Sequence, residues 1–354
     1  MSLPLPQEVT GAGVGPVCVV TGAAGYLGGY LVRALKTLGC EVRAVDLRPA
    51  FADDPEVRTV VADVRDADAL ATAMDGADTV FHAAALLTIL KVARPAVRQR
   101  VWDVNVGGAE AVIAACRRAG VGRLVHTSSV NVCVDGPRHE QDETAPYARR
   151  APDLYTETKI AAEQAVLAAN GGGLQTVAVR PGGIWGPGEG GFMLRAFLQQ
   201  LARGAFVATF GPPDAVVDNT HVYNLVHAEL LAAQRLAIGL PGGEAFFVTD
   251  DERFNGLEWF RPVVEALGHP WPKWRLPGRL MSLVGLAGEW VHYFGGPEPT
   301  LTSGGVLKLI ASTSFRVDKA RRELGWAPVR GRDDGLAEAM DDLRAVYAQL
   351  REGA

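Results

Sequence analysis

The feature that most narrows the fold is a glycine-spaced turn between a buried strand and a helix. Val17-Cys18-Val19-Val20 is a continuous apolar run, of the kind that fills a strand covered on both faces. It leads into Thr21-Gly22-Ala23-Ala24-Gly25-Tyr26-Leu27-Gly28, after which Gly29 to Leu38 reads as a helix. Glycines at 22, 25 and 28 permit a tight turn and let backbone N–H groups approach a pyrophosphate at the helix N-terminus. An ordinary strand-to-helix turn has no need of all three. The next strand, Val42 to Val45, ends at Asp46, about 20 residues on, where an acidic residue suits the ribose hydroxyls of a dinucleotide. A carboxylate there repels a 2′-phosphate and so favours NAD over NADP, a preference tempered by Arg48 two residues later.

The rest of the chain repeats the alternation. Strand-like runs recur at Val57 to Val61, Thr79 to Phe81, Arg123 to Thr127 and Leu174 to Val179, with helical stretches from about Val104 to Ala119 and from Tyr155 to Ala169. This predicts an α/β fold, a Rossmann-type doubly wound parallel sheet. After Pro181 the texture changes: Gly182 to Gly191 is too rich in glycine and proline for helix or strand. Beyond it short elements mix with most of the tryptophans (Trp259, Trp271, Trp274, Trp290), which predicts a smaller, interleaved C-terminal substrate lobe. The expected division is a flexible leader over 1–14, a dinucleotide-binding domain over 15–190 to which 219–249 returns, and a substrate lobe over 191–218 and 250–354.

Charge and cysteine usage remove some partners. A net charge of -5 without blocks of Lys or Arg argues against nucleic acid. Cys18, Cys40, Cys116 and Cys133 have no metal-ligand spacing, which predicts reduced thiols in a cytoplasmic protein. His82 and His126 sit at strand ends without a spaced partner and read as structural, so no metal is expected. The first residues lack the basic start and apolar run of a signal peptide. The longest apolar window, Leu280 to Gly288, falls short of the roughly 20 residues a membrane span needs. A core helix is its ordinary reading; a surface for peripheral contact with lipid or with a greasy substrate is the sharper one.

Tyr155 and Lys159 carry the chemistry. Residues four apart share a helix face, so the phenol and the ammonium can share a site. A cation held beside a phenol favours the phenolate. Such a tyrosine can take a proton from an alcohol while a hydride leaves the adjoining carbon.

Short signatures now stand in order: TGAAGYLG (21–28), ADV (62–64), HAAA (82–85), NVGG (105–108), HTSS (126–129), YTETK (155–159), RPGGIWGPG (180–188) and RRELGWAP (321–328). With them the chain resembles the extended short-chain dehydrogenase/reductase superfamily over nearly its whole length. The resemblance implies that the turn holding Gly22, Gly25, Tyr26, Leu27 and Gly28 binds NAD, with Asp46 on the ribose. It implies that Asp63 and Val64 hold the adenine ring, that Ala83 and Ala84 form the backbone turn under the cofactor, and that Asn105 braces the strand beside it. Thr127 begins the catalytic-serine segment. Ser129 would orient the substrate hydroxyl, and Lys159, bonded to the nicotinamide ribose, would keep Tyr155 ionised. Pro181, Gly183 and Ile184 would pass beside the nicotinamide.

Two substrate classes divide this superfamily. Sugar-nucleotide epimerases and dehydratases usually carry an Arg-Asp pair before the segment leading into Val222, the arginine clamping a diphosphate. Here that pair is Val217-Asp218, and a valine cannot bind phosphate. The same segment is similar to the 3β-hydroxysteroid dehydrogenase branch, as are LVHTSSVNV (124–132), DLYTETK (153–159), AVLAANG (165–171) and HPWPKWRLP (269–277). Within that branch the chain is similar to the actinobacterial cholesterol dehydrogenases from about residue 16 to 350. The implied reaction is NAD-dependent oxidation of a steroid 3β-hydroxyl, with a following Δ5-to-Δ4 isomerisation left open because no residue identifies itself as the second acid/base. Phe192, Met193, Phe197, Phe206 and Phe210 would suit an apolar ligand, although aromatics so spaced more often form core. Arg195 and Arg203 keep the sugar-nucleotide alternative, and a nicotinamide-sensing regulator is a third reading. Homodimerisation through the helices flanking the sheet is the fold-level expectation.

Overall fold

The structure is a computed structural model; it describes Leu5, residues 8–188 and residues 191–352, the side chains of residues 191 and 192 excepted. Val17–Thr21 (β1), Glu41–Asp46 (β2), Val57–Val61 (β3), Thr79–His82 (β4), Arg123–Thr127 (β5), Gln175–Pro181 (β6) and Glu244–Val248 (β7) form one sheet. Their order is β7-β6-β5-β4-β1-β2-β3, and every neighbouring pair is parallel. Chain direction across the sheet reverses between β1 and β4, and a crevice opens there at the carboxyl ends of the strands. Since β1, β4 and β5 are covered on both faces, their runs are apolar without alternation.

Helices Tyr26–Thr37 (α1), Ala67–Met74 (α2), Gly108–Ala119 (α3), Leu154–Ala168 (α4), Gly191–Ala202 (α5) and Val222–Ala237 (α6) follow in chain order. One core joins Leu31 and Leu35 of α1 to Leu225 and Leu230 of α6; the other joins Met74, Val112, Cys116 and Val166 on the opposite face. Each such side chain, taken out of water, contributes roughly 1.5–3 kcal/mol. Before α3 the chain is already helical: Pro95–Trp102 runs into a π-helical turn, Asp103–Gly107, which holds Asn105 buried beneath the sheet's crevice. α3 stops at Gly120, whose φ of 70° is left-handed and costs glycine nothing.

Three expectations change here. The leader is not free over residues 8–14: Val9 and Val14 are buried in the first core, and Gln234 of α6 donates to the Glu8 carbonyl at 2.9 Å. Its first residues, save Leu5, lie outside the described ones. The glycine- and proline-rich stretch is not irregular throughout, because Gly183–Trp185 pairs in parallel with Asn219–His221. That pairing requires Gly182, where a Cβ would lie 2.2 Å from the Asp218 carbonyl oxygen.

The third change concerns the apolar window. Helix α7, Gly278–Tyr293, is not a core helix: Leu280, Leu283, Val284, Trp290 and Val291 are exposed, as is Phe294 just beyond it. The lobe's core lies elsewhere, where Trp185, Leu198, Trp259 and Phe260 meet Leu343 and Tyr347 of the C-terminal helix Arg332–Glu352. Phe197 stacks on Phe260 with centroids 4.1 Å apart and meets Phe206 edge-on, so these aromatics are packing groups. The Phe192 side chain lies outside the described residues. All four cysteines are buried and unpaired.

Candidate active site

The glycine turn ends β1 at the crevice. Gly22 has a φ of +75°, and a Cβ there would come within 2.7 Å of the Ala84 nitrogen. At Gly28 a Cβ would stand 2.1 Å from the Gly22 carbonyl oxygen. α1 begins after Gly25 with no side-chain cap, so its first N–H groups, those of Tyr26 and Leu27 among them, lack intrahelical partners and carry the positive end of the helix dipole. That is a fit for a pyrophosphate. The side chains of both residues are used elsewhere: Tyr26 donates to the Pro187 carbonyl at 2.8 Å and Leu27 is core. A cleft of about 1000 Å³ opens beside the turn, between Gly25, Arg33, Arg48, Pro187 and Arg195.

The residues expected around the adenosine half gather at the ends of β2 and β3. Asp46 accepts from the Ala24 and Arg48 backbone N–H groups at 3.1 and 3.2 Å, and the Arg48 guanidinium bonds the Ala24 carbonyl at 3.0 Å. Asp63 is gripped by Arg65 at 2.6 Å, which holds its carboxyl below the usual range. Val64 packs against the open face of Gly108. Ala83 donates to the Thr21 carbonyl at 3.2 Å. Asn105 braces the loop after β4 rather than the strand itself: it bonds both backbone groups of Leu86, at 2.7 and 3.0 Å, and the Thr158 hydroxyl at 2.9 Å. Pro181 closes β6, and Gly183 and Ile184 follow in the short strand beside it.

Ser129, Tyr155 and Lys159 converge at the end of β5. Ser129 is buried and starts a 3-10 turn, its hydroxyl accepting from the Asn131 N–H at 3.2 Å. It lies close enough to the Tyr155 phenol to favour its ionised form. α4 is anchored at its start: Asp153 caps it through the Thr156 N–H at 2.9 Å, and the N–H groups of Leu154 and Tyr155 donate to the Leu90 and Thr88 carbonyls, both at 3.1 Å. One turn on, the buried Lys159 ammonium donates to the Thr127 carbonyl at 2.7 Å and lies 5.9 Å from the Tyr155 ring centroid. The Thr127 hydroxyl turns to α6 and donates to Glu229 at 2.6 Å.

The Tyr155 phenol stands above the ordinary tyrosine value. Burial pushes the phenol up, the Asp153 carboxylate pushes it further, and Ser129 opposes them. Lys159 is brought down to about 8 by burial, against the pull of Glu163 and Glu229. Glu229 in turn is lifted to about 7 by its own burial. His82 and His126 lie beneath, rings 5.2 Å apart, both kept neutral by desolvation and by Lys159. His82 shares a 2.8 Å hydrogen bond with Thr21, a structural arrangement. Among the described residues no group of His, Cys, Asp or Glu side chains is placed to hold a metal ion.

Four neighbours were not foreseen. Asp153 had a signal, an acidic residue just ahead of a helical run. Thr158 lay inside the YTETK signature, but its bond to Asn105 was not legible; Glu229 and Lys308 had no signal, because each reaches the site from an element whose placement depends on tertiary packing.

Residues 19–278 match the 3-beta hydroxysteroid dehydrogenase/isomerase family. A "3 beta-hydroxysteroid dehydrogenase/Delta 5-->4-isomerase" of Mycobacterium tuberculosis is 40% identical, over 95% of this chain and 92% of that protein. A "3-beta-hydroxysteroid dehydrogenase" of Mycolicibacterium neoaurum is 38% identical, over 91% and 90% respectively. Among solved structures, MoeE5 in complex with UDP-glucuronic acid and NAD superposes with a TM-score of 0.71 at 27% identity, over 94% of this chain and 99% of that one.

Proposed function

The chain belongs to the 3-beta hydroxysteroid dehydrogenase/isomerase family, an NAD-dependent oxidoreductase lineage, and from that premise we propose that it oxidises the 3β-hydroxyl of a steroid to the 3-ketone. The observation that carries the reading is the convergence of Ser129, Tyr155 and Lys159 beside a glycine cradle shaped for a dinucleotide. NAD, when bound, supplies the hydride acceptor and a positive charge next to the phenol. Ser129 holds the substrate oxygen, Tyr155 takes its proton, and Lys159, fixed on the Thr127 carbonyl, presents its ammonium to the ribose side of the site. Because burial and Asp153 raise the phenol, a positive charge beside it, such as bound NAD would supply, would favour the ionised form. The M. tuberculosis relative's name adds a Δ5-to-Δ4 shift, and we extend that second activity to this chain as part of the proposal.

Val217 weighs against a sugar nucleotide. It pairs with Phe254 in a short antiparallel strand and offers no charge to a diphosphate, whatever the fold shared with enzymes of that class. The test is one assay with NAD and, in turn, a 3β-hydroxy-Δ5-steroid and a UDP-sugar. NADH growth with the steroid alone, followed by enone absorbance, supports both activities; an epimerised sugar without net NADH overturns the substrate class.

A lipid surface is the partner we propose for α7. Its apolar face, Leu280, Leu283, Val284 and Val291, is flanked by Trp274, Trp290 and Phe294 and rimmed by Lys273 and Arg279, all exposed. That is the pattern of an interfacial helix. Among the described residues no helix is long and apolar enough to cross a membrane. Association of two copies through α3 and α4 is a separate proposal, read by sedimentation.

A further inference from the structure

The cation nearest the Tyr155 ring is not Lys159. Helix Ser303–Ile310 (α8) of the substrate lobe crosses the start of α4, and its Lys308 ammonium lies 5.4 Å from the ring centroid, against 5.9 Å for Lys159. The same ammonium forms a 2.6 Å ion pair with Asp153, whose carboxylate is wholly buried and whose other oxygen caps α4.

The approach is built. Gly304 faces Asp153 so closely that a Cβ would lie 2.9 Å from its carboxylate oxygen and 3.1 Å from the Pro152 carbonyl. The start of α8 is held by the buried Glu289 of α7, which accepts from the Ser303 N–H and hydroxyl at 2.7 and 2.8 Å. The other Glu289 oxygen accepts from the N–H groups of Lys91 and Val92, at 2.8 and 2.7 Å, so the loop after β4 is tied to the same point. One turn along α8 from Gly304, Lys308 therefore arrives where the phenol needs a counter-charge.

We propose that Lys308 is a positioning residue for the alcohol oxidation: it neutralises Asp153 beside the phenol and so keeps Tyr155 usable as the base. Asp153 is required as the cap of the catalytic helix, yet its charge opposes a phenolate two residues on. A buried carboxylate costs much less beside an ammonium than alone. The groups facing Tyr155 are Asp153 and Lys159 from α4, Ser129 from the end of β5, and Lys308 from α8. Behind Lys159 stand Glu163, Glu229, His82 and His126. Of these, Lys308 comes from α8, an element far from α4 in sequence.

This rests on Tyr155 being the base, and the test separates the two. In NAD-bound protein, tyrosinate absorbance is titrated as a difference against Tyr155→Phe, which needs no substrate, and the pH profile of kcat for steroid oxidation is measured alongside. Lys308→Met should move the Tyr155 titration and the rising limb of kcat upward by about one pH unit, slowing turnover near neutrality about tenfold. Lys308→Arg should restore both. Asp153→Asn combined with Lys308→Met keeps a good helix cap, removes both charges and should return the profile to the wild-type position. The proposal is overturned if Lys308→Met raises only KM and leaves both titrations in place, for then the pair merely fastens the lobe. It is equally overturned if the double variant stays displaced, a result that decides the matter even where Lys308→Met alone does not fold. A wild type that oxidises no steroid would sink the functional reading while the tyrosinate titration still judged Lys308.

Discussion

Tyr155 stands where desolvation and a neighbouring carboxylate push the same way. Its surroundings raise it, Asp153 adds to that, and Ser129 gives back a part. Tyr155→Phe removes the hydroxyl and little volume, so turnover should fall by about two to four orders of magnitude while NAD affinity, read by fluorescence titration, stays near the wild-type value. Equal loss of both would make Tyr155 a structural residue. Gly28 is as constrained for a different reason: Gly28→Ala sets a methyl 2.1 Å from the Gly22 carbonyl, and NAD affinity should drop at least about tenfold as the turn deforms.

At the scale of elements, α4 and α6 carry buried charges that couple the site to stability. Arg180 and Glu163 form a two-pronged pair at 2.6 and 3.0 Å between β6 and α4, with the Tyr147 hydroxyl donating to the same carboxylate at 2.7 Å. Among the described residues Glu229 on α6 has the Thr127 hydroxyl and the more distant Lys159. Its ordinary value of 4.5 rises to about 7 in the fold, so between these values the native state keeps a proton the unfolded chain has released. Stability contributed by the neutral acid is present below about 4.5 and is lost as pH rises through about 7. Glu229→Gln, which cannot ionise, should gain on the wild type across that window and stay ahead above it, by on the order of a few kcal/mol. Urea midpoints at about pH 5 and about pH 8 check this; an unchanged difference between the two proteins would refute it.

At the scale of the molecule, two surfaces were assembled from parts distant in sequence. Residues 8–14 fasten to α6, so removing residues 1–14 strips Val9 and Val14 from the core, and the melting temperature should fall by several degrees. A truncated protein melting with the full chain would return these residues to the status of a leader. On the opposite lobe, the α7 face is exposed beside the helix that bears Lys308. Leu283→Glu with Phe294→Glu should abolish flotation with anionic vesicles yet leave the melting temperature nearly unchanged, since both side chains already face water. Persistent flotation would exclude this face as the lipid contact.

Local grammar determined much of this protein: apolar runs covered on both faces, glycines where a Cβ collides with backbone, an acid at the end of β2, and a tyrosine and lysine one helical turn apart. Those features depend on near neighbours, and they led to the parallel sheet, the dinucleotide cradle and the Tyr155-Lys159 pair, while the family resemblance added Ser129. The same grammar misjudged α7, because an apolar helix carries no mark of whether a neighbour will cover it. Nor did it show that burial and Asp153 would raise the phenol. Tertiary structure alone decided which charges meet. Lys308 lies 153 residues beyond Tyr155 in sequence yet 5.4 Å from its ring, because Coulomb interactions act through space and the fold sets that distance.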